Sequence, residues 1–290
     1  MIDHKICTRC VMDTSIEDIF FDEYGICNYC KNAEKRIAHE LYIDDGSFEN
    51  LLKKIKNSGE KNKYNCIIGM SGGVDSSYIA YLVKQYGLRP LAIHFDNGWN
   101  SELSVVNIEN ILNKLNIDLY TYVVNWEEFK DLQLSFLKSS ISNCEIPTDH
   151  AIVAILYKIA DKFNIKFILH GGNLATESIM PEIWMHDNKD LLLIKDINSK
   201  FGTKNLKTFP KLGYLRLLYF TIFKKIRYVG LLNYINYNKS EAINILENEF
   251  SWRKYEGKHF ESIYTKFFQS YILPKKFNQS SLKKFSLIFK

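Results

Sequence analysis

The sequence predicts an α/β fold in which a parallel sheet with flanking helices lies between a small N-terminal cysteine module and a helical C-terminal region. Three observations predict it. Strand-like segments alternate with helical ones in the middle of the chain, four cysteines cluster near its start, and the alternation fades after residue 176. Strands that alternate with helices favour a parallel sheet, because parallel neighbours need a crossover connection. An apolar content of 46% over 290 residues is enough for a sizeable core and excludes general disorder.

The predicted elements follow one another closely along the chain. Strands are expected at four short apolar runs, which cover residues 64–69, 88–95, 119–124 and 166–170. Helical periodicity predicts helices over residues 74–86, 101–115, 126–140 and 148–163. Gly87 is a typical C-terminal signal and Ser101 a suitable N-cap, which supports two of these boundaries. Residues 211–270 are rich in aromatic residues and lysine, and we expect them to be mostly helical.

Four cysteines near the start have the spacing of a metal site. They form two C-x2-C pairs separated by sixteen residues: Cys7, Cys10, Cys27 and Cys30. Each pair places two thiolates on one tight turn, and two such pairs complete a tetrahedral sulfur site that suits structural Zn²⁺. Four unliganded thiols and an iron–sulfur cluster are the alternatives. Cys66 is expected to be a small buried apolar side chain, and Cys144 an inert thiol.

The most specific motif is a glycine-rich loop between the first strand and the first helix of the predicted sheet. It consists of Ser71, Gly72, Gly73, Val74, Asp75, Ser76 and Ser77. Glycines let backbone N–H groups approach an anion, serine hydroxyls add donors, and the start of a helix favours negative charge. Asp75 supports the loop or helps to hold Mg²⁺ near phosphates. The run lacks the lysine of a Walker A loop and the spacing of G-x-G-x-x-G, so it predicts a phosphate site of another kind.

Two further strand ends carry polar groups or glycines at the same predicted edge of the sheet. His94 and Asp96 end the second strand, and Gly171, Gly172 and Asn173 follow the fourth. Nucleotide-binding α/β proteins present ligand groups at the carboxyl ends of their strands. For His94 the alternative is a core histidine with satisfied hydrogen bonds. For residues 171–173 the alternative is a plain turn.

The serine–glycine loop resembles the PP-loop of N-type ATP pyrophosphatases, which implies the adenine nucleotide alpha hydrolase-like fold. A narrower resemblance, over about residues 5–277, is to the N-acetyl sugar amidotransferase family. It rests on the segments 7–14, 94–99, 147–151, 171–178, 252–262 and 271–274, together with the second cysteine pair and the loop. Residues 278–290 do not resemble the continuation of that family, so the chain is expected to be shortened relative to it.

The resemblance implies an activity. Family members are thought to turn the N-acetyl group of a sugar into an acetamidino group, in surface-polysaccharide, lipopolysaccharide and nonulosonic-acid pathways. ATP adenylylates the amide oxygen, ammonia displaces AMP, and pyrophosphate is released. The implied cofactors are ATP and Mg²⁺ beside the structural Zn²⁺. The implied partners are a nucleotide-linked N-acetyl sugar and a separate glutaminase with a cyclase-like subunit, because the chain has no recognisable nucleophile for making ammonia. Neither nucleic acid nor stable membrane insertion is expected, and the chain is expected to be cytoplasmic.

The same resemblance assigns roles to individual residues. The loop residues 71–77 are expected to hold the phosphates of ATP, with His94 and Asp96 beside the adenosine and Gly171, Gly172 and Asn173 close to the ligand. Roles in catalysis are expected for Ser71, Asp75, Ser76, Asp149, His150 and Glu177. For Asp149 the alternative is an acid stabilised by a helix N-terminus. Lys258 and His259 are candidates for binding anionic groups of the substrate, and an exposed basic surface is the alternative.

These expectations divide the chain into four parts. Residues 1–40 form a zinc-binding module with four cysteine ligands, 41–63 a connecting helix and loop, 64–200 a PP-loop ATP-binding α/β domain, and 201–290 a mostly helical region. Three other functions stay open: a thiolase-like PP-loop enzyme that modifies tRNA, a truncated non-catalytic ATP-binding protein, and a ligase similar to asparagine or NAD synthetase. The net charge of +5 suits small anionic ligands and is too diffuse to predict DNA binding. The apolar run 215–235 is interrupted by basic residues, which leaves contact with a membrane surface open.

Overall fold

The computed structural model describes residues 4–10, 12–41, 45–179, 187–257 and 260–277. At its centre lies a five-stranded sheet in the order β3-β2-β1-β4-β5, in which every neighbouring pair is parallel. The strands are β1 Cys66–Gly69, β2 Pro90–Asp96, β3 Asp118–Val123, β4 Phe167–His170 and β5 Arg227–Gly230. The predicted parallel sheet is confirmed, and its first four strands lie where their apolar runs predict them.

Helices precede, connect and follow the strands. The N-terminal part contains α1 Asn28–Glu40 and α2 Ser47–Ser58, and the sheet connections contain α3 Val74–Gln85, α4 Glu102–Leu115, α5 Trp126–Ser139 and α6 Ile146–Lys162. The later helices are α7 Leu174–Glu177, α8 Leu191–Phe201, α9 Tyr214–Leu218, α10 Lys239–Phe250, α11 Ile263–Phe267 and α12 Leu273–Phe277. Helices α9 and α11 continue as π-helical turns, Tyr219–Phe223 and Phe268–Ile272. None of the helices described is long and apolar enough to cross a lipid bilayer.

The helices cover both faces of the sheet and bury a core on each. On one face, Phe129 and Phe136 of α5 pack with α6 against the strands. On the other face, Ile55 of α2, Ile79 of α3 and Ile111 of α4 form the second core. Strands covered on both faces need apolar residues at every position, which is why β1 and β4 are short uninterrupted apolar runs. The edge strand β3, by contrast, is half-exposed along its length.

Strand β5 was not predicted from the sequence. It has four residues, begins with Arg227 and lies at the edge of the sheet, where it pairs with β4. A short edge strand needs no apolar run, so nothing in its composition separates it from the helices around it. The C-terminal part of the described chain is otherwise mostly helical, as expected, with loops over residues 202–213 and 251–257.

The strand order reverses between β1 and β4. The chain leaves β1 towards β2 on one side, while β4 and β5 extend the sheet on the other. Such a reversal opens a crevice outside the carboxyl ends of the two strands, and open α/β sheets bind ligands there. The glycine-rich loop follows β1, and Gly171 follows β4, so two of the predicted motifs meet at this crevice.

Candidate functional site

The glycine-rich loop leads from β1 into α3. Gly72 has a φ of 81°, and an added Cβ would lie 2.6 Å from the carbonyl oxygen of Ser104. The loop is tied together by its serines, since Ser71 Oγ lies 3.1 Å from Ser76 Oγ and accepts a 3.3 Å hydrogen bond from the N–H of Gly73. Gly73 is the N-cap of α3 and has no side chain to cap it. The N–H groups of the first helical turn are therefore placed to bind an anion.

A C-terminal segment forms a wall over this loop. We call residues 252–257 and 260–262 the strap. The indole of Trp252 and the hydroxyl of Tyr255 both donate to the carbonyl oxygen of Gly72, at 2.9 and 3.0 Å. The carboxylate of Glu261 lies directly against Gly73. No role in the site was predicted for these three residues, although they fall within the family-like segment 252–262. The two candidates in that segment, Lys258 and His259, lie outside the described residues.

Two cavities open on either side of the loop. The first has a volume of about 500 Å³ and lies between the carboxyl ends of β1, β2 and β4 and the start of α6. The second has a volume of about 410 Å³ and lies between the loop and the strap. Ser71, Gly171 and Glu261 line both cavities. An elongated ligand whose phosphates lie on the loop can therefore reach both.

The second cavity brings together acidic and basic side chains. Asp75 and Glu177 line it with Lys239 and Lys254. The hydroxyl of Tyr237 donates to Asp75 Oδ1 and orients that carboxylate. Burial, followed by the negative charge of Asp75, raises the pKa of Tyr237, so the phenol stays protonated. Carboxylate oxygens beside a phosphate loop suit Mg²⁺, and the lysines suit phosphate oxygens.

His94 lines the first cavity at the end of β2. Its Nδ1 donates to the carbonyl oxygen of Met70 at 2.9 Å, because a carbonyl can only accept. Its Nε2 then accepts from Asn100 Nδ2 at 3.1 Å, and the same amide donates to Asp96 Oδ1. Asp96 therefore supports the cavity wall through Asn100 and does not line the cavity itself.

Asp149 lies in the first turn of α6 and also lines the first cavity. Burial, and to a smaller extent the negative charge of Glu145, raises the pKa of its carboxyl to about 7. Glu145 itself accepts hydrogen bonds from Thr265 and from Gln269 Nε2, the latter at 3.2 Å. A carboxyl that exchanges its proton near neutral pH is suited to acid–base chemistry.

His170 and Tyr228 form a stacked pair that also lines this cavity. Their ring centroids lie 4.2 Å apart. The N–H of Gly172 donates to His170 Nδ1 at 3.1 Å, and burial lowers the pKa of His170 to about 4. The imidazole is therefore neutral and carries its proton on Nε2. Burial raises the pKa of Tyr228 to about 12. Neither residue was predicted as part of the site; the position of His170 at a strand end was the available signal, and Tyr228 lies on the unpredicted strand.

Other predicted residues lie behind the cavity walls. His150 is buried and anchors α6, because its Nδ1 donates to the Asn188 carbonyl at 2.9 Å and its Nε2 accepts from the N–H of Leu212 at 3.1 Å. Asn173 is buried and donates to the carbonyl of Gly171. Ser77 is fully buried within α3. The structure thus brings Ser71, Asp75, Ser76 and Glu177 together at one cavity, while His150 and Asn173 line neither.

The N-terminal cysteines converge on one point. The four sulfur atoms of Cys7, Cys10, Cys27 and Cys30 all lie within 4.8 Å of one another. Two of their separations are 3.6 and 3.9 Å. With Zn–S bonds of about 2.3 Å, a tetrahedral site has sulfur–sulfur edges of about 3.8 Å, so the cluster is sized for a metal ion. Ile179 is buried in this module, which ties the segment carrying Glu177 to the cysteine cluster.

The cysteine cluster leads to a testable prediction. The protein should contain one zinc ion per chain, and Cys27→Ser should lose it and unfold at a lower temperature, because metal binding contributes to the folding free energy of such modules. Elemental analysis and thermal melts measure both effects. Cys144→Ser, outside the module, is the control and should keep its zinc. Iron in place of zinc would identify a cluster, and a metal-free chain with four titratable thiols would contradict the prediction.

The chain is similar in sequence to parts of known proteins. No family model matches the chain. An uncharacterized protein of Methanocaldococcus jannaschii is 28% identical over 172 residues, which cover 59% of this chain and 57% of that protein. A tRNA-specific 2-thiouridylase of Fusobacterium nucleatum is 28% identical over 118 residues, which cover 38% of this chain and 34% of the enzyme. The match thus spans about half of the Methanocaldococcus protein and about a third of the 2-thiouridylase.

Among solved structures, a predicted subunit of a tRNA methyltransferase from Methanocaldococcus jannaschii has a TM-score of 0.38 and 18% identity, covering 76% of this chain and 91% of the other. The glycine-rich loop lies at the switch point of a parallel sheet, and the sequence similarity to the 2-thiouridylase covers about a third of each chain. The free N–H groups at the start of α3 give this loop the geometry for binding an anion such as phosphate.

Proposed function

We propose that this chain is an AMP-forming, ATP-dependent amidotransferase that converts the N-acetyl group of a sugar into an acetamidino group for a surface polysaccharide. The observation that carries the proposal is the first cavity. It opens onto the phosphate loop through Ser71 and is lined by the amides of Asn97 and Asn100 and by the carboxyl groups of Glu145 and Asp149. Such groups suit a substrate with hydroxyl and amide functions.

The proposed reaction would use both cavities. The loop N–H groups and the serine hydroxyls would hold the pyrophosphate part of ATP, with the α-phosphorus turned towards the first cavity. The acetamido oxygen of the sugar attacks that phosphorus, and the bond to pyrophosphate breaks. Asp75 and Glu177 would hold Mg²⁺, which offsets negative charge on the phosphates.

Ammonia then attacks the activated carbon, the carbon–oxygen bond breaks, and AMP leaves with the former acetamido oxygen. The attacking nitrogen must lose a proton, and Asp149, with its pKa near 7, is placed to accept it. His170 is a neutral donor at the same cavity and would hydrogen-bond the sugar or the phosphate. A separate glutaminase, accompanied by a cyclase-like subunit, would supply ammonia.

The absence of a thiol at the site favours nitrogen transfer over sulfur transfer. Neither Cys66 nor Cys144 lines either of the two cavities beside the loop. Cys66 is buried in β1, and burial raises the pKa of its thiol. The Cys144 thiol is buried and lies 3.5 Å from the carbonyl oxygen of Ile141. A thiolase that passes sulfur through an enzyme thiol would need one facing the substrate.

An enzyme that modifies tRNA is the second candidate function, and the sequence comparisons favour it over the amidotransferase. The relative of known activity reported above thiolates tRNA. A second observation in its favour is that residues 197–240 contain nine lysine and arginine residues and no acidic residue. Both candidates share the adenylylation of a substrate oxygen and differ in the molecule that carries this oxygen.

An assay of AMP release distinguishes the two. Purified protein is incubated with ATP, Mg²⁺ and ammonium, and in parallel with nucleotide-linked N-acetyl sugars or with tRNA. We expect AMP only with one of the sugars, and a sugar product in which NH replaces one oxygen in the mass spectrum. Ser71→Ala should lose this activity, while Ser199→Ala, which removes an exposed hydroxyl on α8, should keep it. AMP release with tRNA and with no sugar would replace the first proposal by the second.

A further inference from the structure

An apolar stripe on the outer side of one helix has no partner in the described structure. The helix consists of α9 and its π-helical turn, residues 214–223. Leu215, Tyr219, Ile222 and Phe223 are 80%, 43%, 60% and 75% exposed. Their spacing places them on one side of the helix, while Phe220 on the other side is buried. We call these four side chains the outer face. An exposed apolar group of this kind marks an interaction site.

The outer face lies in a part of the chain that contains no acidic residue. From residue 197 to residue 240 there is no Asp or Glu, although the whole chain carries a net charge of only +5. The same stretch contains nine basic residues: Lys200, Lys204, Lys207, Lys211, Arg216, Lys224, Lys225, Arg227 and Lys239. Lys225 and Arg227 follow the outer face directly, and Arg227 is exposed. The positive charge of the chain is therefore concentrated where its apolar groups protrude.

From this combination we infer that the outer face docks on an anionic lipid surface, with residues 214–223 lying along the interface. Helices that lie in a membrane interface combine protruding apolar side chains with flanking Lys and Arg, and anionic headgroups attract such basic segments. The exposed aliphatic side chains of Leu215 and Ile222 favour a lipid over a nucleic acid as the partner. Bases stack on aromatic rings and on guanidinium groups, and aliphatic side chains offer them no stacking surface, whereas acyl chains accept aliphatic groups.

The helix that carries the outer face is anchored to the α/β layers. It is separated from β5 by only three residues. Lys224, between them, forms a 2.8 Å ion pair with Asp161 of α6, which fixes the base of the helix to the α/β layers. The inference does not depend on the proposed function, because it rests on the outer face and on the charge around it.

Vesicle co-sedimentation of the full chain tests this inference. One set of vesicles contains phosphatidylcholine only, and the other also contains phosphatidylglycerol. We expect binding to the anionic vesicles to be at least about tenfold tighter than to the neutral ones and to weaken with added salt. The triple variant Leu215→Ser, Ile222→Ser, Phe223→Ser should lose this binding. Leu192→Ser, which removes a 77% exposed leucine from α8, is the matched control and should bind like the wild type.

Three results would overturn the inference. The first is a folded wild-type chain that does not sediment with anionic vesicles, and the second is a triple variant that binds them unchanged. The third is a triple variant whose only loss is in tRNA binding or in self-association, measured by filter binding and by light scattering, since the outer face would then serve a nucleic acid or a second copy of the chain. Circular dichroism and zinc content verify that each variant is folded.

Discussion

Replacing Gly72 with alanine should lower the affinity for ATP about a hundredfold, because small displacements of a positioning loop have effects of this size. The added Cβ would lie 2.6 Å from the carbonyl oxygen of Ser104 and 3.1 Å from its Cα, and a backbone cannot move aside as a side chain can. The loop would have to shift, and its N–H groups would leave the phosphate positions. An alanine held at the positive φ of Gly72 would also carry a backbone strain of about 1–3 kcal/mol, which glycine does not. Calorimetric titration with ATP and thermal melts measure the two effects.

Gly46→Ala is the matched control for this variant. Gly46 has a similar φ of 75°, but among the described residues no atom beyond its chain neighbours lies within 4 Å of the position of an added Cβ. It precedes α2, away from both cavities, so its substitution should cost a comparable strain and leave ATP binding unchanged. Unchanged ATP affinity in Gly72→Ala, or an equal loss in Gly46→Ala, would show that the loop does not hold the phosphates.

Replacing Asp149 with asparagine should have opposite effects on activity and on stability. The rate of AMP formation should fall by about 10²–10⁴-fold, the usual contribution of a positioned acid or base. The rise of the wild-type rate through pH 7 should disappear with it. The reason is that the carboxyl, with its pKa near 7, becomes a proton acceptor only above that pH. A pH–rate profile of both proteins measures these effects.

The stability of the same variant should depend on pH. The pKa of Asp149 is raised from its ordinary value of 3.8 to about 7 in the folded protein. Below about pH 3 the carboxyl is largely neutral in both the folded and the unfolded state, so wild type and variant should be equally stable. Between pH 4 and 7 the unfolded chain ionises more readily, which increasingly favours unfolding of the wild type. The variant cannot ionise, so it should be the more stable protein at pH 8.

Glu127→Gln is the control for this series, because Glu127 is an exposed acid in the first turn of α5. It should change neither the rate profile nor the stability. A variant of Asp149 with the wild-type pH–rate profile would exclude this carboxyl as the proton acceptor. Equal stability of variant and wild type at pH 8 would show that the carboxyl is not desolvated in the folded state.

Local patterns were enough to predict the loop and the cysteine cluster. An apolar strand, a run of glycine and serine, and a helical segment follow one another between residues 64 and 86, so the local sequence contains the whole motif. The sulfur cluster is likewise defined by two short pairs whose spacing fits one ion. In both cases the neighbours in space are also close along the chain.

The wall over the loop could not be predicted in this way. Trp252 donates to Gly72 across 180 positions of the chain, and no local pattern predicts that contact. Two neighbouring residues on α6 show a second limit of prediction from local sequence patterns. Asp149 lines the first cavity, whereas His150, one residue later, anchors the helix to Asn188 and Leu212. Successive residues of a helix differ by about 100° in direction, and the apolar pattern alone did not fix the rotation of α6 closely enough to separate them.

The central claim is that the acetamido oxygen of a sugar attacks the α-phosphorus of ATP held on the 71–77 loop. The most direct measurement uses the accepting sugar with ¹⁸O in its acetamido group, together with ATP, Mg²⁺ and ammonium, and determines the mass of the nucleotide products. We predict that AMP carries the ¹⁸O and that its amount equals that of the acetamidino sugar. Unlabelled AMP, or ADP in its place, would mean that this oxygen is never adenylylated, and the proposed reaction would be wrong.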